Sequence, residues 1–126
     1  MNTDFIKESL TTIAELIRKR EVSPVEVVEA HLERIARLNP ALNAIVTLAP
    51  DAVERAREAE DALVRGESVG ALHGVPVTIK DTIETAGIRT TSGSRMRADY
   101  VPQVDAPSVA RLKRAGAIVL GKTNAS

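Results

Sequence analysis

Few residues in this 126-residue chain could carry chemistry, and one lysine stands out by its setting. Lys80 comes near the end of the run Gly70-Ala71-Leu72-His73-Gly74-Val75-Pro76-Val77-Thr78-Ile79-Lys80-Asp81. Val75, Val77 and Ile79 alternate onto one face and Thr78 and Lys80 onto the other, the period of a β-strand. Pro76 falls at the strand's start, where a missing N–H does least harm. Gly70 and Gly74 bracket that start and permit tight turns. A lysine taken alone is usually a solvated charge. A lysine at the end of a rigid apolar strand, next to a glycine-bearing loop, also holds a position where site residues are common. Asp81, the next residue, is expected to orient the following loop or to accept backbone N–H groups rather than to react.

Other chemistries are excluded or weak. The chain has no cysteine, which removes disulfides, zinc–thiolate sites and cysteine nucleophiles. Two histidines make a histidine-rich metal site unexpected. His31 lies beside an apolar helical stripe and reads as structural. Gly116 and Gly121-Lys122-Thr123 satisfy the bare spacing of a phosphate-binding loop. The residues between them, 117–120, are an apolar strand rather than a flexible loop, and no helix follows within the chain. Nucleotide binding is therefore not expected.

Composition bounds the class. Hydrophobic residues make up 44%, so the chain is globular. Seventeen Lys and Arg balance seventeen Asp and Glu, which argues against direct binding of nucleic acid or a membrane surface. No basic segment followed by an apolar run opens the chain, and no apolar stretch reaches membrane-spanning length. A soluble, cytoplasmic protein is expected. The length suits one domain, not two. All seven glycines fall at or after Gly66, so residues 1–66 read as helical and 67–126 as rich in strands and loops.

The elements that must position Lys80 follow from pattern. A first helix is expected from Thr12, with Glu15 as capping-box partner and Ile13, Leu16 and Ile17 as its stripe. A second begins at the N-cap Ser23, with Pro24 in the first turn and Glu26 completing the box. Its stripe is Val25, Val28, Leu32 and Ile35, and Pro40 is expected to stop it. Residues 43–48 read as a short strand. Pro50-Asp51 opens a third helix with Ala52, Ala56, Ala59 and Leu63 on one face, ended by Gly66. Its charged faces read as solvated. Residues 81–94 form a hydroxyl-rich loop with a turn at Gly87. Asp105-Ala106-Pro107 opens a fourth helix with Val109 and Leu112 inward, ending at Gly116. Residues 117–120 read as a strand covered on both faces. The alternation of helices and strands predicts an α/β fold, a mixed sheet flanked by helices.

Three segments resemble the amidase signature family in order and spacing. They are Leu72-His73-Gly74-Val75-Pro76-Val77-Thr78-Ile79-Lys80-Asp81, then Gly87-Ile88-Arg89-Thr90-Thr91-Ser92-Gly93-Ser94, then Asp105 to Leu112 running into Ala115 to Asn124. The opening from Ser23-Pro24-Val25-Glu26 to Leu38-Asn39-Pro40 is similar as well. The resemblance implies an amidase: hydrolysis of a small-molecule carboxamide by a Ser–cis-Ser–Lys mechanism, without cofactor or metal. Lys80 matches the family's lysine, the general base. A serine hydroxyl needs such a base, and a lysine can serve only if burial frees its neutral amine. The apolar run before Lys80 is compatible with that burial. Both catalytic serines and the oxyanion hole of the family lie after the position where this chain stops. Ser92, Ser94, Ser108 and Ser126 do not match the family's serines. The chain is thus expected to be the N-terminal part of a single amidase domain, inactive alone. A close variant is the A subunit of a tRNA-dependent amidotransferase. A different reading is a non-catalytic fragment acting with a complementary C-terminal segment or as a homo-oligomer, through exposed edges of strands 75–79 and 117–120.

Overall fold

The structure, a computed structural model, describes residues 4–125. After a short 3-10 turn, Asp4–Lys7, helix α1 covers Leu10–Arg18. It begins two residues earlier than the Thr12 start expected, because Ser9 is the cap: its Oγ accepts from the Thr12 N–H at 3.1 Å. Helix α2, Pro24–Leu42, carries both halves of the expected box. The Glu26 N–H donates to Ser23 Oγ at 3.0 Å, and the Ser23 N–H donates to Glu26 Oε1 at 3.3 Å. Ser23→Ala is expected to lower stability by about 1 kcal/mol, read as a shift in urea midpoint.

Contrary to the expectation from sequence, Pro40 does not stop α2; the helix runs on to Leu42. In the last turn a proline forfeits one hydrogen bond without breaking a continuing ladder. The stop is Asn43, left-handed at φ 50°, whose N–H donates to the Asn39 carbonyl at 2.7 Å. The Asn39 amide then bonds both Ile45 N–H and Ile45 C=O at 2.9 Å. That double contact hands the chain to β1, Ile45–Leu48.

Helix α3, Ala52–Val64, buries the expected alanine face. Small side chains at Ala52, Ala56 and Ala59 admit Val28, Ile118 and Leu120 to one apolar cluster. Strand β2 is Pro76–Lys80, helix α4 is Pro107–Arg114, and β3 is Ile118–Thr123. The described residues form a three-stranded mixed sheet in the order β1-β3-β2, with β3 antiparallel to β1 and parallel to β2. Strand β3 is sandwiched: Ile118 and Leu120 face α2 and α3, while Val119 joins Ile79, Ile88 and Val109 on the other side. A third cluster, with Phe5, Ile13, Ile17, Val27 and Val75, seats α1 over the start of β2. The α/β class and the mixed sheet flanked by helices are as expected.

Two expectations change. The strand expected over 117–120 does not end at Leu120: β3 continues through Gly121, Lys122 and Thr123. Because β3 pairs on both sides, only β2 of the two apolar strands keeps an unpaired edge among the described residues. Gly116, just before β3, shows how closely the crossover is drawn in. Its φ is +99°, and a Cβ there would lie 2.6 Å from His73 Cα. Gly116→Ala is expected to cost about 1–3 kcal/mol from backbone strain alone, with the contact added, and denaturant titration reads it.

Candidate active site

Lys80 is the last residue of β2 and is exposed. It pairs with Thr123 across the parallel ladder, while Ile79, on the opposite face, is buried. The expected alternation is therefore present, but the expected burial of this lysine is not. The reason is the period of two: the face that buries Ile79 turns Lys80 away.

The chain beyond Lys80 is tightly fastened. The Ile83 N–H donates back to the Lys80 carbonyl at 3.0 Å, closing a turn. Asp81 is 2% exposed and locks the loop's neck. Its N–H donates to the Thr123 carbonyl, and its carbonyl accepts from the Ser92 N–H, both at 2.9 Å. Its carboxylate accepts from the Thr91 N–H at 3.0 Å and also from the Thr91 hydroxyl. Asp81 thus takes the orienting position expected of it. Further round, Thr85 and Thr90 are fully buried and donate to the Ile83 and Ile88 carbonyls, and Ile88 plugs the core. The outer side is held by Tyr100, whose hydroxyl donates to Glu84 Oε1 at 3.0 Å, and by Asp105, which accepts from the Ala86 N–H at 2.7 Å. Burial pushes the Asp105 carboxyl up, but the Ala86 N–H and the Lys113 ammonium together hold it below its ordinary value.

The buried lysine of this region is Lys122, wholly inside. It pairs with Ile79 and so shares the inward face. Its ammonium donates to the Ile83 carbonyl and to Thr90 Oγ1, each at 2.7 Å. Burial lowers its pKa from the usual lysine value, and the Asp81 and Glu84 carboxylates push partly the other way. The unfolded chain therefore binds this proton more tightly than the folded one. Between the lowered value and the ordinary value of about 10.4, Lys122's contribution to stability rises with pH. Tyr100 opposes it at the alkaline end: its hydrogen bond to Glu84 raises its pKa, so its contribution is lost as pH rises through that raised value. Comparison with Lys122→Met isolates the lysine. Relative to that variant, the wild type should gain stability in urea unfolding as pH rises toward about 10.4, the ordinary lysine value. Sequence reasoning placed Lys122 after a strand and missed it. Strict alternation from Val119 would turn Lys122 the other way; the register shift opposite Val77 and Thr78 brings it to the Ile79 face, and no period in the sequence marks that shift.

The remaining polar candidates are structural. His31 Nδ1 donates to the Val27 carbonyl at 2.7 Å and its ring lies against Phe5. His73 Nε2 bonds the Ala59 carbonyl at 2.7 Å and ties the turn before β2 to α3. A groove of about 620 Å³ lies between α3, the 86–88 turn and the start of β3, away from Lys80. Among the described residues no group of three His, Asp or Glu is placed to hold a metal ion, and no helix is long and apolar enough to cross a membrane.

This chain belongs to the amidase family, whose model, described as Amidase, matches residues 26–126. It is similar to the A subunit of the glutamyl-tRNA(Gln) amidotransferase of Bdellovibrio bacteriovorus, 44% identical over 121 residues, covering 96% of this chain and 25% of that protein. The corresponding protein of Thermoanaerobacter pseudethanolicus is 45% identical over 113 residues, covering 89% and 23%. Among solved structures, peptide amidase from Stenotrophomonas maltophilia superposes with a TM-score of 0.90 at 35% identity, over 96% of this chain and 25% of that one. A bacterial aryl acylamidase of the amidase signature family gives 0.87 at 34% identity, over 93% and 25%. The chain spans about a quarter of the length of the relatives it matches.

Proposed function

We propose that residues 1–126 are the N-terminal part of a single amidase domain in a cytoplasmic enzyme that hydrolyses a carboxamide C–N bond. In this reading one serine attacks the amide carbonyl, and a second serine on a cis peptide bond relays its proton to the Lys80 amine. The leaving amine or ammonia is then protonated, and water releases the acyl group by the same relay. Both serines and the oxyanion donors lie outside residues 1–126, and no cofactor takes part. The 126-residue chain alone is expected to be inactive.

The observation that supports this most is the setting of Lys80. It stands at the C-terminal end of a parallel strand, on the uncovered face, with the next residue held by four hydrogen bonds. An amine left open on so rigid a base can be covered by groups from elsewhere in the domain, and that covering would supply the burial that frees the neutral amine. The test is ammonia release by the full-length protein from a panel of primary amides, glutamine and peptide amides included. Turnover of at least one supports the reading; failure on all, alone and with partner subunits, overturns it.

Membership of a multi-subunit amidotransferase is favoured by the 44% and 45% identities to amidotransferase A subunits. Hydrolysis that rises sharply on adding the partner subunits would select it, and partner-independent turnover would select a free-standing amidase. The unpaired β2 edge also suits association with a complementary segment. A strictly monomeric, cooperatively melting 126-residue chain would count against that.

A further inference from the structure

Lys122 is a buried charged group that the amidase mechanism above does not use. Three observations bear on what it does. It lies wholly inside, where an ammonium is costly to keep unless its donors are satisfied. Its two bonds, each 2.7 Å, go to the Ile83 carbonyl and the Thr90 hydroxyl, at two separate points of the loop that follows Lys80. The same Ile83 donates its N–H to the carbonyl of Lys80 at 3.0 Å. One covalent link and two hydrogen bonds therefore connect the buried ammonium to the peptide unit that carries Lys80.

The loop has two fasteners of opposite charge. Asp81 joins its neck by accepting from Thr91. Lys122 reaches from the central strand and joins its interior. Thr90 serves both, since its hydroxyl donates to the Ile88 carbonyl at 2.9 Å while accepting from Lys122. The sheet register puts Lys122 beside Ile79 and Thr123 beside Lys80, so the fastener acts one residue from the lysine it would steady. An apolar residue at 122 could fill the space. It could not hold the Ile83 carbonyl, which would then be free to turn and carry the Lys80 peptide with it.

We propose that Lys122 is a positioning residue for Lys80, holding the 81–92 loop through Ile83 and Thr90 so that the Lys80 amine keeps a single direction. The inference rests on the reading of Lys80 as the general base. Displacing a reacting group by about 1 Å costs on the order of 100-fold in rate. Lys122→Met in the full-length enzyme is therefore expected to lower kcat about 10- to 100-fold while KM stays within about twofold. Measuring kcat on the folded fraction, fixed by urea titration, removes any loss through unfolding.

The decisive comparison is the double variant. If Lys122 acts through Lys80, adding Lys122→Met to Lys80→Ala lowers the residual turnover of an activated anilide no further. A merely structural lysine would multiply the two losses. Should Lys122→Met fail to fold, Thr90→Val removes one partner and leaves the Ile83 bond. It is expected to lower kcat about 3- to 10-fold, again without further effect on Lys80→Ala. Wild-type kcat in the Lys122 or Thr90 variant, or multiplicative loss in the double variant, overturns the inference alone. Wild-type turnover in Lys80→Ala overturns the reading of Lys80, and this inference with it.

Discussion

Lys80→Ala in the full-length protein is expected to lower kcat for amide hydrolysis about 10²- to 10⁴-fold, the usual contribution of a positioned general base. The fold should barely register the change. Within residues 1–126 Lys80 is exposed, and it makes no ion pair among the described residues, so in the 126-residue chain its stability effect should stay within about 0.5 kcal/mol. KM should also change little, because a base acts mainly in the transition state. Lys80→Arg should be nearly as inactive as the alanine variant: a guanidinium stays protonated and cannot accept the serine's proton. The pattern to look for is a large fall in kcat of the full-length protein, unchanged melting of the 126-residue chain and no rescue by arginine. Retention of wild-type turnover by Lys80→Ala would remove Lys80 from the mechanism.

Asp81→Ala is the substitution with the largest expected effect on the fold around the site. It deletes the acceptor of the Thr91 N–H and the Thr91 hydroxyl in a place where Asp81 and Thr91 are 2% and 8% exposed. Each buried donor left unpaired costs about 1–3 kcal/mol, so the sum for the two is about 2–6 kcal/mol. That is a large part of the stability of a small domain, typically about 5–15 kcal/mol. The change also takes a carboxylate from the neighbourhood of the Lys122 ammonium, which adds to the loss near neutral pH. Asp81→Asn keeps one acceptor for the Thr91 N–H and should cost roughly half as much. Urea titration of the two variants reads both. A loss below about 0.5 kcal/mol in Asp81→Ala would show that the loop's neck is held by its backbone bonds alone.

What could be read in advance was local. Ser23, Pro24 and Glu26 announce α2 because a capping box is complete within four residues. The alternation of Val75, Val77 and Ile79 against Thr78 and Lys80 separates the two faces of β2, because side-chain direction in a strand depends only on parity. The alanine spacing of α3 and the role of Asp81 as an orienting group are of the same kind.

What misled was local signal overruled from a distance. Pro40 reads as a stop, yet the helix ends where Asn43 turns left-handed and Asn39 grips Ile45. The apolar run 117–120 reads as the whole strand, yet β1 and β2 both pair with Gly121, Lys122 and Thr123 and draw them into it. Most consequential is which lysine is buried. Lys80 follows an apolar run and Lys122 follows another, so neither composition nor period tells them apart. The distinction rests on Ile83 and Thr90, 39 and 32 residues before Lys122, which offer oxygens to its ammonium once the loop has closed over the sheet. A charge can enter a core only when its hydrogen-bond partners are assembled there, and that assembly is a property of the folded chain.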